Sequence, residues 1–159
     1  MGLLAILATL AVIALLAGLT IPYWFGRHEV TLDNAARLLA RDLQAVQNRT
    51  AFLGEPARVR FHEHGWEATD SAGEVLTRYG GEEPFARRLD ADAVFEGVTL
   101  QAIAFGDDAA LDLGTHGEPL EEGSLVVTFR GERRLVRVTL PHGEVLIEGL
   151  ARGPAGEGN

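Results

Sequence analysis

The chain has 159 residues and a formal net charge of −9, with 23 acidic residues against 14 basic ones. Because nucleic-acid binding depends largely on attraction to phosphates, this acidic balance makes nucleic acid an unexpected partner. The chain contains no cysteine, which excludes disulfides, thiolate metal sites and cysteine nucleophiles.

The N-terminal segment is apolar and carries no charged side chain before Arg27. Residues 3–25 supply the roughly 20 apolar residues that a helix needs to cross a bilayer. Tyr23 and Trp24 end this run, where amphipathic aromatic rings prefer the headgroup region. We therefore predict a transmembrane N-terminal helix over 1–26. A cleaved secretory signal is the alternative, although no basic residue precedes the run and the run is long for a signal.

The next segment has the pattern of an amphipathic helix. Apolar or small residues recur at alternating four- and three-residue steps, which places them on one stripe. The stripe comprises Leu32, Ala36, Leu39, Leu43, Val46, Thr50 and Leu53. We predict a helix over 27–53 that ends at Gly54. Its core contacts with the sheet are expected from Leu32, Leu39, Leu43 and Val46.

The rest of the chain has the pattern of a β domain. From residue 57 the apolar period becomes two, which is typical of strands. The predicted strands are 57–62, 65–70, 74–79, 97–105, 124–130, 133–140 and 144–149, and Gly131-Glu132 marks a hairpin. We predict an antiparallel β domain over 54–150 and a disordered tail over 151–159. One long helix followed only by strands gives an α+β fold, with the helix packed on an antiparallel sheet.

Two segments carry a resemblance to a known family. A hydrophobic N-terminal helix with Ile21-Pro22, counted from the first residue, resembles the mature stalk of type IV pilins and type II secretion pseudopilins. The ending GERRLVRVTLPHGEVLIEG is similar to the closing hairpin of minor subunits of the GspH/FimT type. The resemblance implies a pilin-like fold and cleavage after a leader glycine, with Met1 as the first mature residue and its N-methylation site. It also implies close helix packing in a filament through Ala5, Ala8, Ala11, Ala14, Gly18 and Pro22.

The first residues depart from the family pattern. The family usually has Phe at position 1 and Glu at position 5, whereas this chain has Met1 and Ala5. The family glutamate is thought to meet a neighbouring subunit's N-terminal amine, and Ala5 cannot make that pairing. Some minor subunits at the filament tip also lack this glutamate. The other interpretation is that Met1 is the initiator residue and that no cleavage occurs.

The function that the resemblance implies is structural. It is that of a non-catalytic minor pseudopilin, stored in the inner membrane by a single span with its C-terminal domain in the periplasm. Assembly would take place at or near the tip of a periplasmic pseudopilus for protein secretion. The implied partners are other pilin or pseudopilin subunits, inner-membrane lipid, and the secretion or pilus assembly machinery.

Two other functions stay open. One is a minor type IV pilin involved in pilus assembly or DNA uptake, and the other is a membrane-anchored binding domain with no filament role. The positive-inside rule bears on topology, because Arg27, Arg37 and Arg41 follow the span. Counted alone, these arginines would place the C-terminal part in the cytoplasm rather than in the periplasm.

Two clusters contain metal-ligand residue types, the sequence His62-Glu63-His64 and the acidic group Asp107, Asp108 and Asp112. The first lacks an obvious third ligand and is typical of a hairpin turn, and the second matches no EF-hand loop. No serine stands in a nucleophile motif of the G-x-S-x-G kind. We therefore predict no catalytic residues, no cofactor and no metal.

Four arginines flank the last predicted hairpin. They are Arg130, Arg133, Arg134 and Arg137. Charged side chains protect an exposed strand edge against pairing with other chains. We predict a basic strand edge here, and a binding surface for an acidic partner or DNA is the functional alternative.

Overall fold

A computed structural model describes Gly2 and residues 30–78, 81 and 83–150, which from Thr31 onward belong to one compact unit. The helix α1 is described over residues 30–53. Gly54 ends it in the left-handed conformation, with φ of 69° and its N–H donating to the carbonyl of Thr50 at 2.9 Å. A glycine adopts this conformation without a side-chain clash, which explains why α1 stops there.

Within the described residues, eight strands follow α1, and their pairs are antiparallel. The strands are β1 (Ala57–His62), β2 (Gly65–Asp70), β3 (Ala86–Arg88), β4 (Thr99–Ala104), β5 (Ala110–Leu113), β6 (Gly123–Phe129), β7 (Glu132–Thr139) and β8 (Glu144–Leu150). They form one four-stranded sheet in the order β3-β2-β1-β5 and a second in the order β4-β6-β7-β8. A backbone hydrogen bond from Leu100 to Glu63, at 2.8 Å, joins β4 to the β1–β2 turn.

The β6–β7 hairpin has a two-residue turn with positive φ at both central positions. These are Arg130 at 49° and Gly131 at 85°, between the paired residues Phe129 and Glu132. This is the type I′ geometry, whose twist matches that of the flanking strands. The turn centre is therefore one residue earlier than the predicted Gly131-Glu132.

The core lies between α1 and the two sheets. The helix contributes its buried apolar face, and each sheet contributes the alternate residues of its inner face. Strands β6 and β7 illustrate the alternation. Leu125 of β6 is buried opposite Val136 of β7, and Val127 and Val138, each two residues further along its strand, are buried as well. An α-helix packed on antiparallel sheets is the α+β arrangement that the sequence predicts.

One predicted strand is wrong and two strands were not predicted. In residues 74–78 the structure has isolated bridges, from Val75 to Thr69 and from Thr77 to Pro84. The place beside β2 is taken instead by β3, which pairs with Gly65–Glu67. Proline cannot donate a ladder hydrogen bond, so Pro84 limits the pairing of the 74–78 segment. The second unpredicted strand is β5, which lies in the region interpreted as an acidic loop.

Phe105 lies where the two sheets meet and is fully buried. Its ring stacks on that of Phe61, with 4.8 Å between ring centroids and an interplanar angle of 29°. A bulge in β4, with Ala102 at a φ of 47°, precedes it, and such bulges bend a strand and redirect the side chains that follow. Gly123 faces the same ring, and a Cβ at Gly123 would lie 1.9 Å from the Phe105 ring.

We predict that Gly123→Ala lowers the free energy of unfolding by about 1–3 kcal/mol, because an added methyl must displace a fully buried ring. Gly149→Ala is the matched control, since no atom lies within 4 Å of a Cβ built there and its φ is not positive. The measurement is the urea unfolding of the full chain. Equal midpoints for the two variants would contradict the packing described here.

Candidate functional site

The residues predicted to pack in a filament core lie outside the described residues. They are Ala5, Ala8, Ala11, Ala14, Gly18 and Pro22, and the predicted N-methylation site Met1 lies outside them too. The predicted span over 1–26, Gly2 excepted, and the tail over 151–159 lie outside them as well. Within the described part of the chain, no helix is long and apolar enough to cross a membrane.

The inner face of α1 is buried against the sheets. Leu32, Leu39, Leu43 and Val46 are all at most 2% exposed. Leu53, the last residue of the predicted stripe, is instead 41% exposed, because α1 ends beside it at Gly54. The stripe predicted from the apolar periodicity did not include Asp42, whose carboxylate is also buried.

Asp42 is 2% exposed and receives hydrogen bonds from three parts of the first sheet and its loops. Arg78 Nη2 donates to Oδ1 at 2.7 Å, Trp66 Nε1 donates to Oδ2 at 3.3 Å, and Arg87 Nε donates to Oδ2 at 3.4 Å. Glu83 lies 3.5 Å from Arg78 Nε and 3.9 Å from Arg87 Nη2. An ionised carboxylate out of water is costly unless paired and hydrogen-bonded, and these donors meet that requirement.

We call Asp42 and the side chains around it the Asp42 cluster, whose other members are Trp66, Arg78, Glu83 and Arg87. This cluster attaches α1 to the first sheet. Trp66 belongs to β2, Arg87 belongs to β3, and Arg78 lies in the segment between these strands. Removing one member of a buried ion pair leaves an uncompensated charge, so the cluster favours a single docking register of helix and sheet. An acidic residue beside an apolar helical stripe is the signal in the sequence that could have indicated it.

Gln47 fastens the next turn of α1 to two loops. Its Nε2 donates to the carbonyl of Gly143 at 3.0 Å, in the β7–β8 turn. On the same flank of the helix, a Cβ at Gly117 would lie 2.3 Å from the Gln47 carbonyl oxygen. The loop before β6 therefore approaches the helix backbone as closely as only glycine permits.

The four arginines of the last hairpin do not form a strand edge. Strand β7 lies between β6 and β8, so it is an inner strand of its sheet. Arg134 points to the core side, where its Nε donates to Asp33 Oδ1 of α1 at 2.7 Å. By the alternation of the strand, Arg133 and Arg137 face the opposite side. Arg130 lies in the turn, with its guanidinium 5.3 Å from the centre of the Phe129 ring.

The acidic group after β4 is a structural ion cluster. Arg58 donates to both carboxylate oxygens of Asp112, from Nε at 2.7 Å and from Nη2 at 2.8 Å, and to Asp108 from Nη1 at 3.0 Å. The hydrogen bonds from Arg58 hold the pKa of Asp112 below its usual value. His62, Glu63 and His64 form the end of β1 and the β1–β2 turn. Among the described residues, no group of three or more His, Asp and Glu side chains could hold a metal ion.

A groove of about 550 Å³ opens beside the Asp42 cluster. We call it the α1 groove. It is lined by Ala45, Asn48, Arg49 and Phe52 of the helix and by Arg78 and Phe85 of the segment between β2 and β3. Its walls are mostly apolar, and guanidinium groups stand at its rim. Of its two arginines, Arg78 pairs with Asp42 and Glu83, whereas no described carboxylate lies within ion-pair distance of Arg49, so the groove offers an apolar surface beside a positive charge.

No protein-family model matches this chain, and no curated protein matches it. Among solved structures, the chain is similar to the type IV minor pilin FimU of Pseudomonas aeruginosa strain PAO1. The TM-score is 0.51 and the sequence identity is 15%, over 74% of this chain and 87% of that chain. At this identity the likeness shows the fold alone. It confirms the predicted pilin-like α+β fold, in which one helix packs on antiparallel sheets.

We predict that Asp42→Asn destabilises the protein by on the order of 3 kcal/mol, because it removes the negative charge from a side chain that is 2% exposed and that accepts hydrogen bonds from three donors. Asp33→Asn is the matched control. Asp33 also accepts an arginine hydrogen bond at 2.7 Å, but its side chain is 40% exposed, so the expected loss is about 0–1 kcal/mol. The measurement is urea unfolding of both variants at neutral pH. A similar loss in both variants would contradict the anchoring role of Asp42.

We also predict that Asp112→Asn is less stable than the wild type at neutral pH and that this difference in unfolding free energy becomes smaller in acid. The pKa of Asp112 is lowered in the folded chain, so its ionised form stabilises the fold at pH values above the ordinary carboxyl pKa of 3.8. That contribution is lost as the pH falls from this value through the lower folded pKa. The measurement is the difference in unfolding free energy between the two proteins from pH 7 to pH 2. If the difference in unfolding free energy stays constant or grows in acid, the ion pair between Arg58 and Asp112 is not its source.

Proposed function

We propose that this chain is a non-catalytic minor subunit of a pilin-like filament, assembled at or near the tip of a periplasmic pseudopilus for protein secretion. The observation that carries the proposal is the pilin-like fold, similar to a minor pilin over 74% of this chain. The proposal includes storage in the inner membrane through the N-terminal span, with the folded domain in the periplasm. Other pilin-like subunits and the assembly machinery are the proposed partners.

The attachment of the helix to the sheets supports this role. Residues 31–53 of α1 belong to the same compact unit as the two sheets. Asp42 ties the helix to the first sheet, Asp33 ties it to β7, and Gln47 ties it to the β7–β8 turn. A subunit that is moved through its helix during assembly needs such ties, because force on the helix must reach the whole domain.

A minor type IV pilin is the second candidate. It is favoured by the name of the similar structure, which is that of a type IV minor pilin. A role in pilus assembly fits the net charge of −9 better than DNA uptake does, since an acidic chain repels the phosphates of DNA. A pseudopilus and a pilus would use the same helix attachment, so the genetic context of the filament separates the two candidates.

Ala5 is the basis for the tip position. A carboxylate in hydrocarbon is costly unless it is paired, so a glutamate at this position in the family implies a partner in the filament. A subunit that enters the filament first has no earlier neighbour whose amine must be met. Ala5 therefore suits a subunit present in few copies at or near the tip.

We predict that the protein labels filament ends and that Ala5→Glu does not raise its incorporation, because no earlier subunit offers an amine to the new carboxylate. The measurement is quantitative immunogold labelling of wild type and variant beside the major subunit. Ala5→Gln is the control for side-chain size, since it has no charge. Wild-type label along the whole filament, or a large rise in copies for Ala5→Glu but not for Ala5→Gln, would contradict the tip position. Absence of label from filaments would instead favour a membrane-anchored binding domain.

A further inference from the structure

The α1 groove exposes a large aromatic side chain. Phe52 is 72% exposed, the highest exposed fraction among the large hydrophobic residues that the structure describes. It stands opposite Phe85, across a groove whose volume is in the range of sites that bind ligands or side chains. An apolar concave surface of this kind beside polar groups marks a contact site.

The lining of the groove includes a positive charge that no described carboxylate neutralises. No described carboxylate lies within ion-pair distance of Arg49, unlike Arg78 and Arg87, which pair with Asp42 and Glu83. The complementary occupant is therefore an apolar side chain flanked by carboxylates.

The chain itself presents such a side chain in the loop before β6. Leu120 is 63% exposed and is followed by Glu121 and Glu122. In the part of the chain that the structure describes, neither carboxylate forms an ion pair with an arginine, and Glu122 accepts a hydrogen bond from the Leu140 N–H at 3.3 Å. The Leu120 N–H donates to the carbonyl of Asp112 at 2.9 Å, and Pro119 is bridged to Leu113. The backbone at Leu120 is thus held in place, which reduces the backbone entropy lost on docking.

The groove and the Leu120 loop lie on different flanks of α1. The loop meets the helix at Gln47 and Ala51, as the close approach of Gly117 shows. The groove is lined by Ala45 and Arg49, which lie on another face of the same turns. The loop of one chain therefore stays on its own flank, and a groove can receive it from a second copy. Two different complementary surfaces on one chain produce a head-to-tail contact.

We propose that the α1 groove of one copy binds Leu120 of a second copy, with Arg49 facing Glu121 and Glu122. The contact concerns the folded domain and goes beyond the filament role, because it holds for any two copies brought together on a membrane or in an assembly. It links copies in a directional row and does not close into a symmetric pair.

Val94 is a second exposed apolar residue with acidic residues nearby in the sequence, and it serves as the comparison. It is also 63% exposed. No acidic residue adjoins it in the sequence, since Ala93 and Phe95 flank it, whereas Glu121 and Glu122 directly follow Leu120. Equal exposure without an adjoining pair of carboxylates makes Val94 a control for Leu120.

The test uses disulfide crosslinking, for which the chain offers a background without cysteine. Full chains carrying both Asn48→Cys and Leu120→Cys are oxidised mildly in their membrane and separated on a non-reducing gel. We expect a ladder of multimers, because each copy offers one groove and one loop. Chains carrying Asn48→Cys and Val94→Cys should give no ladder.

Charge reversal tests the electrostatic part. Adding Arg49→Glu to the chain that carries Asn48→Cys and Leu120→Cys should lower the multimer yield by about two- to fivefold. Adding Glu121→Arg and Glu122→Arg to that chain should restore the yield. Absence of a ladder would overturn the proposal, whether the groove is empty or occupied by a different protein. Equal ladders from the cysteine pairs at Leu120 and at Val94 would overturn it as well. So would a multimer yield that Arg49→Glu does not change. None of these outcomes bears on whether the protein labels filament ends.

Discussion

The burial of one negative charge under α1 constrains the rest of the structure. Asp42 faces the core, so the first sheet must bring two guanidinium groups and an indole N–H to the same point. That requirement determines where β3 and the segment before it lie relative to β2. It also leaves Phe85 beside the helix with Arg78 above its ring, at 4.9 Å from guanidinium carbon to ring centre. The α1 groove follows from this arrangement, since Arg78 and Phe85 form one of its walls.

The parts of the fold that depend on local periodicity could be predicted from the sequence. The stripe from Leu32 to Val46 predicts the buried helix face, and the alternation in 57–62 and 65–70 predicts β1 and β2 with their bounds. Strand β3 is three residues long and contains two arginines, so it has too few apolar positions to show a period. It forms because Arg87 meets Asp42 in space, and a contact between residues so far apart in the chain leaves no local pattern.

The candidate site was less accessible to sequence reasoning. Asp42 stands on an apolar stripe as a single acidic residue, and periodicity alone cannot tell a buried carboxylate from one at the border of the stripe. The arginines of β7 were expected along an edge, but β7 pairs with β6 on one side and with β8 on the other. Once β7 is an inner strand, its alternate residues face opposite sides, and Arg134 reaches Asp33 while Arg133 and Arg137 face away. The pairing order of strands is a long-range property that composition does not determine.

The two-residue turn at Arg130-Gly131 has a consequence for the charge of the whole hairpin. A strand shifted by one residue exchanges its two faces. The turn sets the register in which Val136 faces the core and Arg133 and Arg137 face outward. Lengthening the turn by one residue would send Arg133 and Arg137 toward α1 and Val136 toward water. The geometry of this short turn therefore determines, through the strand register, whether each arginine of β7 faces the interior or the surface.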